Sequence, residues 1–407
     1  MSDEIKDPMA LENNVDSLMY ERLSIDRLAE ILNLTIKEDS FNKTLTFLCM
    51  LSAYAGDSQF NISFNAPSST GKSYIPLEVA KLFPPEDVIE IGYCSPTAFF
   101  HDHANKTTED GKLLVDLSKK ILIFLDQPHT LLLQYLRPLL SHDKKEIEIK
   151  ITDKQQRKGL KTKNIILRGF PAVIFCTAGL SLDEQEATRF ILLSPETSQE
   201  KISAGISQKI KKETHTRHFR AEIDINKDRN LLINRIIEIK NAGINEISLE
   251  SEEYIRSKFL FNRKILISRN QRDVGKIIQI TKAFALLNLW SHLFQKDWFK
   301  ADNADVDVAF ELWSKISRSQ ELNIPPYLFQ LYDEIICPTA TDQGQKHAGR
   351  YGVTRQQIIT AHLKIYSRPL ADWALRQQIL PMLESAGLIF QEADPRDKRR
   401  ILIYPTT

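Results

Sequence analysis

Five short apolar runs between residues 60 and 195 constrain this 407-residue chain more than any other feature. They are Ile62-Ser63-Phe64, Val88-Ile89-Glu90-Ile91, Ile121-Leu122-Ile123-Phe124-Leu125, Ala172-Val173-Ile174-Phe175-Cys176 and Phe190-Ile191-Leu192-Leu193. Each has the length of a strand, and helical patterns separate them. A half-exposed strand would alternate apolar with polar residues, so these runs predict strands buried on both faces. The expected fold class is α/β, a parallel sheet between helical layers. Around it, residues 1–20 read as weakly ordered. Residues 24–55 carry two amphipathic helical patterns (Ile25, Leu28, Ile31 and Leu32, then Leu45, Leu48, Leu51 and Tyr54). Residues from 200 to about 322 read as helix without a strong strand, and Pro325-Pro326 marks a linker. The expected domains are a helical extension over 1–55, an α/β core over 56–199, a helical lid over 200–322 and a C-terminal unit over 323–407.

The first run leads into Asn65-Ala66-Pro67-Ser68-Ser69-Thr70-Gly71-Lys72-Ser73, and a helix-like stretch with Ile75, Leu77, Val79, Ala80 and Leu82 follows. This matches the phosphate-loop pattern, Gly, four residues, then Gly-Lys-Ser/Thr, except that Ala66 replaces the first Gly. A tight loop at a helix N-terminus aims backbone N–H groups at phosphate oxygens. Residues 66–73 are therefore the candidate nucleotide-binding loop. Lys72 would bridge the β- and γ-phosphates, and the Ser73 hydroxyl would face Mg²⁺.

The run Ile121–Leu125 ends in Asp126-Gln127. An acidic residue at the end of a hydrophobic strand, some fifty residues after such a loop, is the candidate for holding the Mg²⁺ shell. The next position is usually Glu; Gln127 can orient a water but cannot take its proton. Three options stay open: a positioning Gln, a base elsewhere, or a Glu-to-Gln change that traps ATP. Thr177, at the end of the fourth run, would sit beside the γ-phosphate as a sensor.

Between these runs, Glu146–Thr152 alternates with period two, and Leu160–Ile166 returns after the polar stretch Lys154-Gln155-Gln156-Arg157-Lys158-Gly159. That predicts a β-hairpin insert over 144–168. Lys154, Arg157 and Lys158 lie at its tip, with Lys161 on the returning strand. The hairpin is either a solvated surface feature or a finger that grips a phosphate backbone. Arg189 enters the last strand, and Arg272 lies near the start of a long amphipathic helix beginning at Asn270.

In this order the pieces resemble an AAA+ ATPase of the pre-sensor-1 hairpin group, and most closely the minichromosome-maintenance (MCM)-type helicases, including bacterial replication helicases of mobile elements. The resemblance spans roughly residues 56–290. It rests on the phosphate loop, Asp126, the basic hairpin ahead of Thr177, Thr188-Arg189-Phe190, and the Arg272 helix ending in Ala283-Phe284-Ala285. It implies that Arg189 is an arginine finger reaching a neighbour's site, that Arg272 is the sensor-2 arginine, and that the assembly is a hexamer. Ala66, Gln127, Thr177 and the lack of a large N-terminal DNA-binding domain depart from the family pattern.

The last eighty residues suggest two helices, then a strand, the turn Asp394-Pro395-Arg396-Asp397-Lys398-Arg399-Arg400, and another strand. This looks like a winged helix, with Arg396, Lys398, Arg399 and Arg400 as candidate DNA contacts. A winged helix equally serves as a protein-docking module or a regulatory lid.

Net charge is +1, so any nucleic-acid binding must come from local patches. Cys49, Cys94, Cys176 and Cys337 have no metal-ligand spacing and read as reduced thiols of a cytoplasmic protein. No apolar run reaches membrane-spanning length. His101 with His103, and His215 with His218, complete no ligand set. The expected activity is a ring-forming, ATP- and Mg²⁺-dependent DNA helicase or translocase in replication. The alternative is an ATP-controlled DNA-binding switch, such as a helicase loader or transposition regulator, that does not unwind.

Overall fold

The computed structural model describes residues 20–103, 106–107, 111–153, 161–177, 188–261, 263, 265–347 and 349–406. Strands of the first half are β1 (Asn61–Asn65), β2 (Val88–Ile91), β3 (Lys106–Thr107), β4 (Leu113–Asp116), β5 (Ile121–Phe124), β6 (Glu146–Asp153), β7 (Lys161–Arg168), β8 (Ala172–Thr177) and β9 (Phe190–Leu193). The five apolar runs make one sheet in the order β2-β5-β8-β1-β9, parallel throughout. Successive side chains leave a strand on opposite faces, and each face meets its own apolar layer. Ile62, Phe64, Ile121, Ile123 and Ile174 enter one cluster, whereas Leu122, Phe124, Val173 and Phe175 enter the other. That is why β5 and β8 show no polar alternation; β1 does alternate, and its Asn61, Ser63 and Asn65 are buried as well.

The first layer is supplied by α1 (Ile25–Leu32), α2 (Ser40–Ser52) and α3 (Tyr74–Ala80), together with later helices of the lid. α2 is buried from Asn42 to Ser52. Residues 24–55 are thus a wall of the core rather than an extension beside it. The second layer comes from Pro96–His103, from Thr130–Leu140, and from a second sheet ordered β3-β4-β7-β6. β6 and β7 form the expected antiparallel hairpin, from Glu146↔Arg168 to Asp153↔Lys161. β4 lies parallel against β7, an extra strand the sequence reading did not contain. At the exit from β7, Gly169 has φ +90°, and a Cβ there would collide with Ser118. Residues 1–19, the hairpin tip with Lys154, Arg157 and Lys158, and the Lys161 side chain lie outside what is described.

The lid carries the helices Gln199–Thr214, Lys227–Ala242, Asn270–Leu287 and Asn303–Ser314. It is not purely helical: β10 (Glu246–Leu249), β11 (Phe294–Gln295) and β12 (Trp298–Ala301) form a small sheet ordered β10-β12-β11. Phe284 and Phe299 bury in the same cluster as Leu48 and Ile62, so the lid and the α/β core share one apolar layer.

The C-terminal unit has a separate core, with Leu328, Ile335, Val353, Ile358, Leu380 and Ile403 among its members. Its order is a helical stretch from Pro326 to Gln343, the pair β13 (Gln345–His347) and β14 (Arg350–Gly352), helix Arg355–Tyr366, and a helical stretch from Asp372 to Ser385. The antiparallel pair β15 (Ile389–Ala393) and β16 (Ile401–Pro405) follows. Val353 bridges to Ile403, tying the first strand pair to the second. Both helical stretches widen into a π turn, at Leu331–Ile336 and Leu375–Ile379, just ahead of Pro338 and Pro381. Proline lacks the N–H that would close the α-helical bond there.

Candidate nucleotide site

Parallel pairing places the C-terminal ends of β1, β5 and β8 side by side, with Asn65 opposite Thr177 and Phe124 opposite Phe175. The loop 66–73, Asp126, Gln127 and Thr177 therefore converge on one edge of the sheet. The Ala66 N–H donates to Thr177 O at 3.4 Å, fixing the start of the loop. Ser69 (φ +66°) and Gly71 (φ +92°) are both left-handed. Two such residues close together bend the chain into a cradle that turns amides to one side. Left-handed backbone at Ser69 is strained for a residue with a Cβ, as occurs at ligand clamps. Ala66 keeps φ outside the left-handed region, so Gly is not required where the pattern expects it.

Lys72 Nζ donates to Pro67 O at 2.8 Å, holding the ammonium over the loop, and Thr70 Oγ1 donates to the same carbonyl at 2.9 Å. Burial lowers the Lys72 pKa; Arg368 adds to the shift, while Cys176 and Asp126 oppose it. Asp126 is thus close enough to act on Lys72 while its residue stays exposed. Its Oδ1 accepts the Gln127 N–H at 2.8 Å. The Thr177 hydroxyl donates to Gln127 Oε1 at 3.2 Å. Ser73 hydrogen-bonds the buried Cys176 thiol, whose pKa burial pushes up to about 11. These groups fit a nucleoside triphosphate: a cation above a cradle, a carboxylate and a hydroxyl on the Mg²⁺ side, and an adjoining cavity of about 870 Å³.

Arg189 and Arg272 are elsewhere. β9 runs parallel to β1 with Phe190 opposite Asn61, so Arg189 lies at the edge where β1 begins. At ~3.3 Å per residue, the strand puts about 13 Å between that edge and the loop. Arg189 Nε donates to Ser141 Oγ at 2.7 Å, and Arg272 Nη1 donates to Thr188 Oγ1. The two arginines are therefore brought together, and Arg272 does not face its own chain's phosphate loop. Beneath them Lys276 Nζ, fully buried, donates to Phe190 O at 2.7 Å, and burial holds its pKa down to about 7.

Several residues of the site carry no sequence signal. Lys201 ion-pairs with the buried carboxylate of Asp39 at the cavity wall. Arg368, from the C-terminal unit, reaches Ser68 O at 3.5 Å across 300 residues of chain. Arg396, Lys398, Arg399 and Arg400 are exposed on the turn between β15 and β16, where Asp394 Oδ1 accepts the Arg396 N–H at 2.9 Å. Among the described residues one group has the composition of a metal site, His292 with Asp302 and Asp305. Arg22 fills it, meeting Asp302 at 2.8 Å and Asp305 at 2.6 Å, so it acts as an ion pair anchoring the lid. No helix among the described residues is long and apolar enough to cross a membrane.

No family model and no curated protein matches the chain. Among solved structures, a full-length MCM homologue from Methanopyrus kandleri is similar in fold, with a TM-score of 0.47 and 15% identity. The match covers 77% of this chain and 62% of that one, so the chain spans about three fifths of its length. A likeness this coarse assigns no activity here.

Proposed function

We propose that the chain is an ATP-driven DNA helicase or translocase whose active sites form between copies. One observation carries the reading: Lys72, Asp126, Gln127 and Thr177 share one edge of the parallel sheet, and Arg189 with Arg272 occupy the opposite edge. A chain built this way offers half a site at each end, and head-to-tail stacking joins the halves. When bound, ATP with Mg²⁺ supplies the phosphoanhydride whose cleavage drives movement. The loop amides and Lys72 would hold its phosphates, and Ser73 and Asp126 would hold the Mg²⁺ shell. Gln127 and Thr177 orient a water, while Arg189 and Arg272 of the adjacent copy neutralise developing charge. Head-to-tail contacts that close give a ring, and six copies is the size we propose, with a DNA strand in its pore.

The hairpin β6–β7 leads into the basic sequence that holds Lys154, Arg157 and Lys158, and contact with a DNA backbone through these and Lys161 suits non-specific grip. The C-terminal unit, with its helix, strand, two-helix and hairpin order, we read as a winged helix whose Arg396, Lys398, Arg399 and Arg400 meet duplex phosphates. The setting we propose for this motor is replication of a mobile element, in the cytoplasm.

The Gln127–Thr177 bond favours a second reading. A neutral amide already satisfied by a hydroxyl has no proton-accepting role, so hydrolysis would be slow and the chain would act as an ATP-controlled DNA-binding switch. Strand displacement on forked DNA with ATP decides between them. Displacement lost in Lys72→Ala supports the motor; ATP-dependent DNA binding without displacement supports the switch.

A further inference from the structure

The cavity beside the phosphate loop is walled on one side by a different body. Residues 66–71 line it from the core and the segment from Pro195 to Lys209 from the junction of core and lid, while Tyr327, His362, Tyr366 and Arg368 line it from the C-terminal unit. That unit has its own apolar core, and polar contacts join it to the loop edge. Tyr327 N–H donates to Ser194 Oγ at 3.2 Å, and Arg368 Nη2 reaches Ser68 O at 3.5 Å.

The composition of that wall suits a nucleotide. His362 and Tyr366 meet edge to face, with ring centroids 5.0 Å apart, an aromatic surface of the kind a base stacks on. The Tyr327 hydroxyl is buried without a hydrogen-bond partner among the described residues. A buried hydroxyl of this sort is costly unless something meets it. Arg368 brings a second cation toward a loop that already holds Lys72, where two positive charges gain only when an anion lies between them. His362 Nδ1 lies 2.9 Å from Arg368 O, fixing the turn that carries the arginine, and Ser367 takes the left-handed conformation that aims it (φ +52°).

We propose that the C-terminal unit is part of the nucleotide site of its own chain, with Arg368 binding a phosphate of the nucleotide held on the loop 66–73. The inference rests on the nucleotide-binding reading of that loop and adds a regulatory consequence. Nucleotide bridges two bodies with separate cores, so its arrival fixes the C-terminal unit against the core and its departure releases it.

The test is equilibrium binding of a fluorescent ATP analogue to the full chain, for wild type, Lys72→Ala, Arg368→Ala and Arg368→Lys. Limited proteolysis of the full chain, with and without ATP, is read alongside for cuts that separate the C-terminal unit from the core. A charge-assisted contact to phosphate predicts about tenfold or greater weakening in Arg368→Ala and partial recovery in Arg368→Lys. It also predicts ATP protection against those cuts in wild type that Arg368→Ala loses. Equal affinity for ATP in wild type and Arg368→Ala overturns the proposal, as do separating cuts at the same rate with and without ATP. If wild type itself fails to bind ATP, or Lys72→Ala binds as wild type does, the reading of the loop fails instead. Arg368 is exposed, and matching melting temperatures without nucleotide show that the variants fold.

Discussion

At the edge of the sheet where β1, β5 and β8 end, polar groups are already tied down: Lys72 to Pro67 O, Asp126 to the Gln127 N–H, and Thr177 to the Gln127 amide. At the edge where β1 and β9 begin, two arginines rest against hydroxyls, Arg189 on Ser141 and Arg272 on Thr188. The first edge is concave and adjoins a cavity; the second presents cations on a rigid strand end and helix start. The difference teaches that the phosphate cradle and the arginines lie at opposite edges of one sheet, so on the proposed reading neither edge alone is a complete catalyst.

The largest effects should separate the two edges. Lys72→Ala removes the cation over the loop, and ATP binding should fall below detection in a filter or fluorescence assay. Arg189→Ala should leave ATP affinity within a few-fold of wild type but lower turnover by about 10³-fold, the usual scale for an arginine finger. Equal losses of affinity in both variants would erase the distinction between the edges. Next, Ala in place of Lys154, Arg157 and Lys158 should spare ATPase activity and abolish strand displacement. The slope of log affinity against log salt on single strands should fall by about 2. Gln127→Glu should raise turnover roughly tenfold by adding a proton acceptor beside Thr177; unchanged turnover would mean that the water is activated elsewhere.

The smallest effect concerns what holds the arginine edge in place. Lys276 is buried with its pKa held at about 7, below its value in an unfolded chain. Between about pH 7 and about pH 10.5 the unfolded chain binds the extra proton, so stability should rise with pH across that window. Below it, both states are protonated and the burial penalty is fully present. Lys276→Met should flatten this rise and lift the melting temperature at pH 7 by a few degrees. A rise that persists in the variant would assign it to other groups.

The sheet was readable because its strands are buried on both faces, which leaves uninterrupted apolar runs such as Ile121–Leu125. The loop 66–73 and Asp126 were readable because both follow those strands directly. β4 escaped because Leu113–Asp116 borrows its pairing from β7, more than fifty residues later. β10 and β12 escaped because Glu246–Leu249 and Trp298–Ala301 are short and mix charged with apolar residues. Helix Ser40–Ser52 resembled an amphipathic extension because Asn42, Lys43, Thr44 and Ser52 are polar. All four bury, with Asn42 bonded to Ser194 O and Lys43 to Ile36 O. Position along the chain could not show that Arg272 faces Thr188 rather than the loop, nor that Arg368 reaches Ser68. Both depend on how stretches of chain far apart in sequence pack.

Mixing two inactive variants tests the shared site most directly. Lys72→Ala keeps its arginine edge and Arg189→Ala keeps its loop edge, so a junction between them can carry one intact site. Equal parts of the two should recover roughly a quarter of wild-type ATP turnover, the fraction of head-to-tail junctions that pair the intact halves. Recovery should vanish on dilution. A mixture as inactive as its components, or Arg189→Ala turning over ATP at the wild-type rate on its own, would contradict a site divided between two copies.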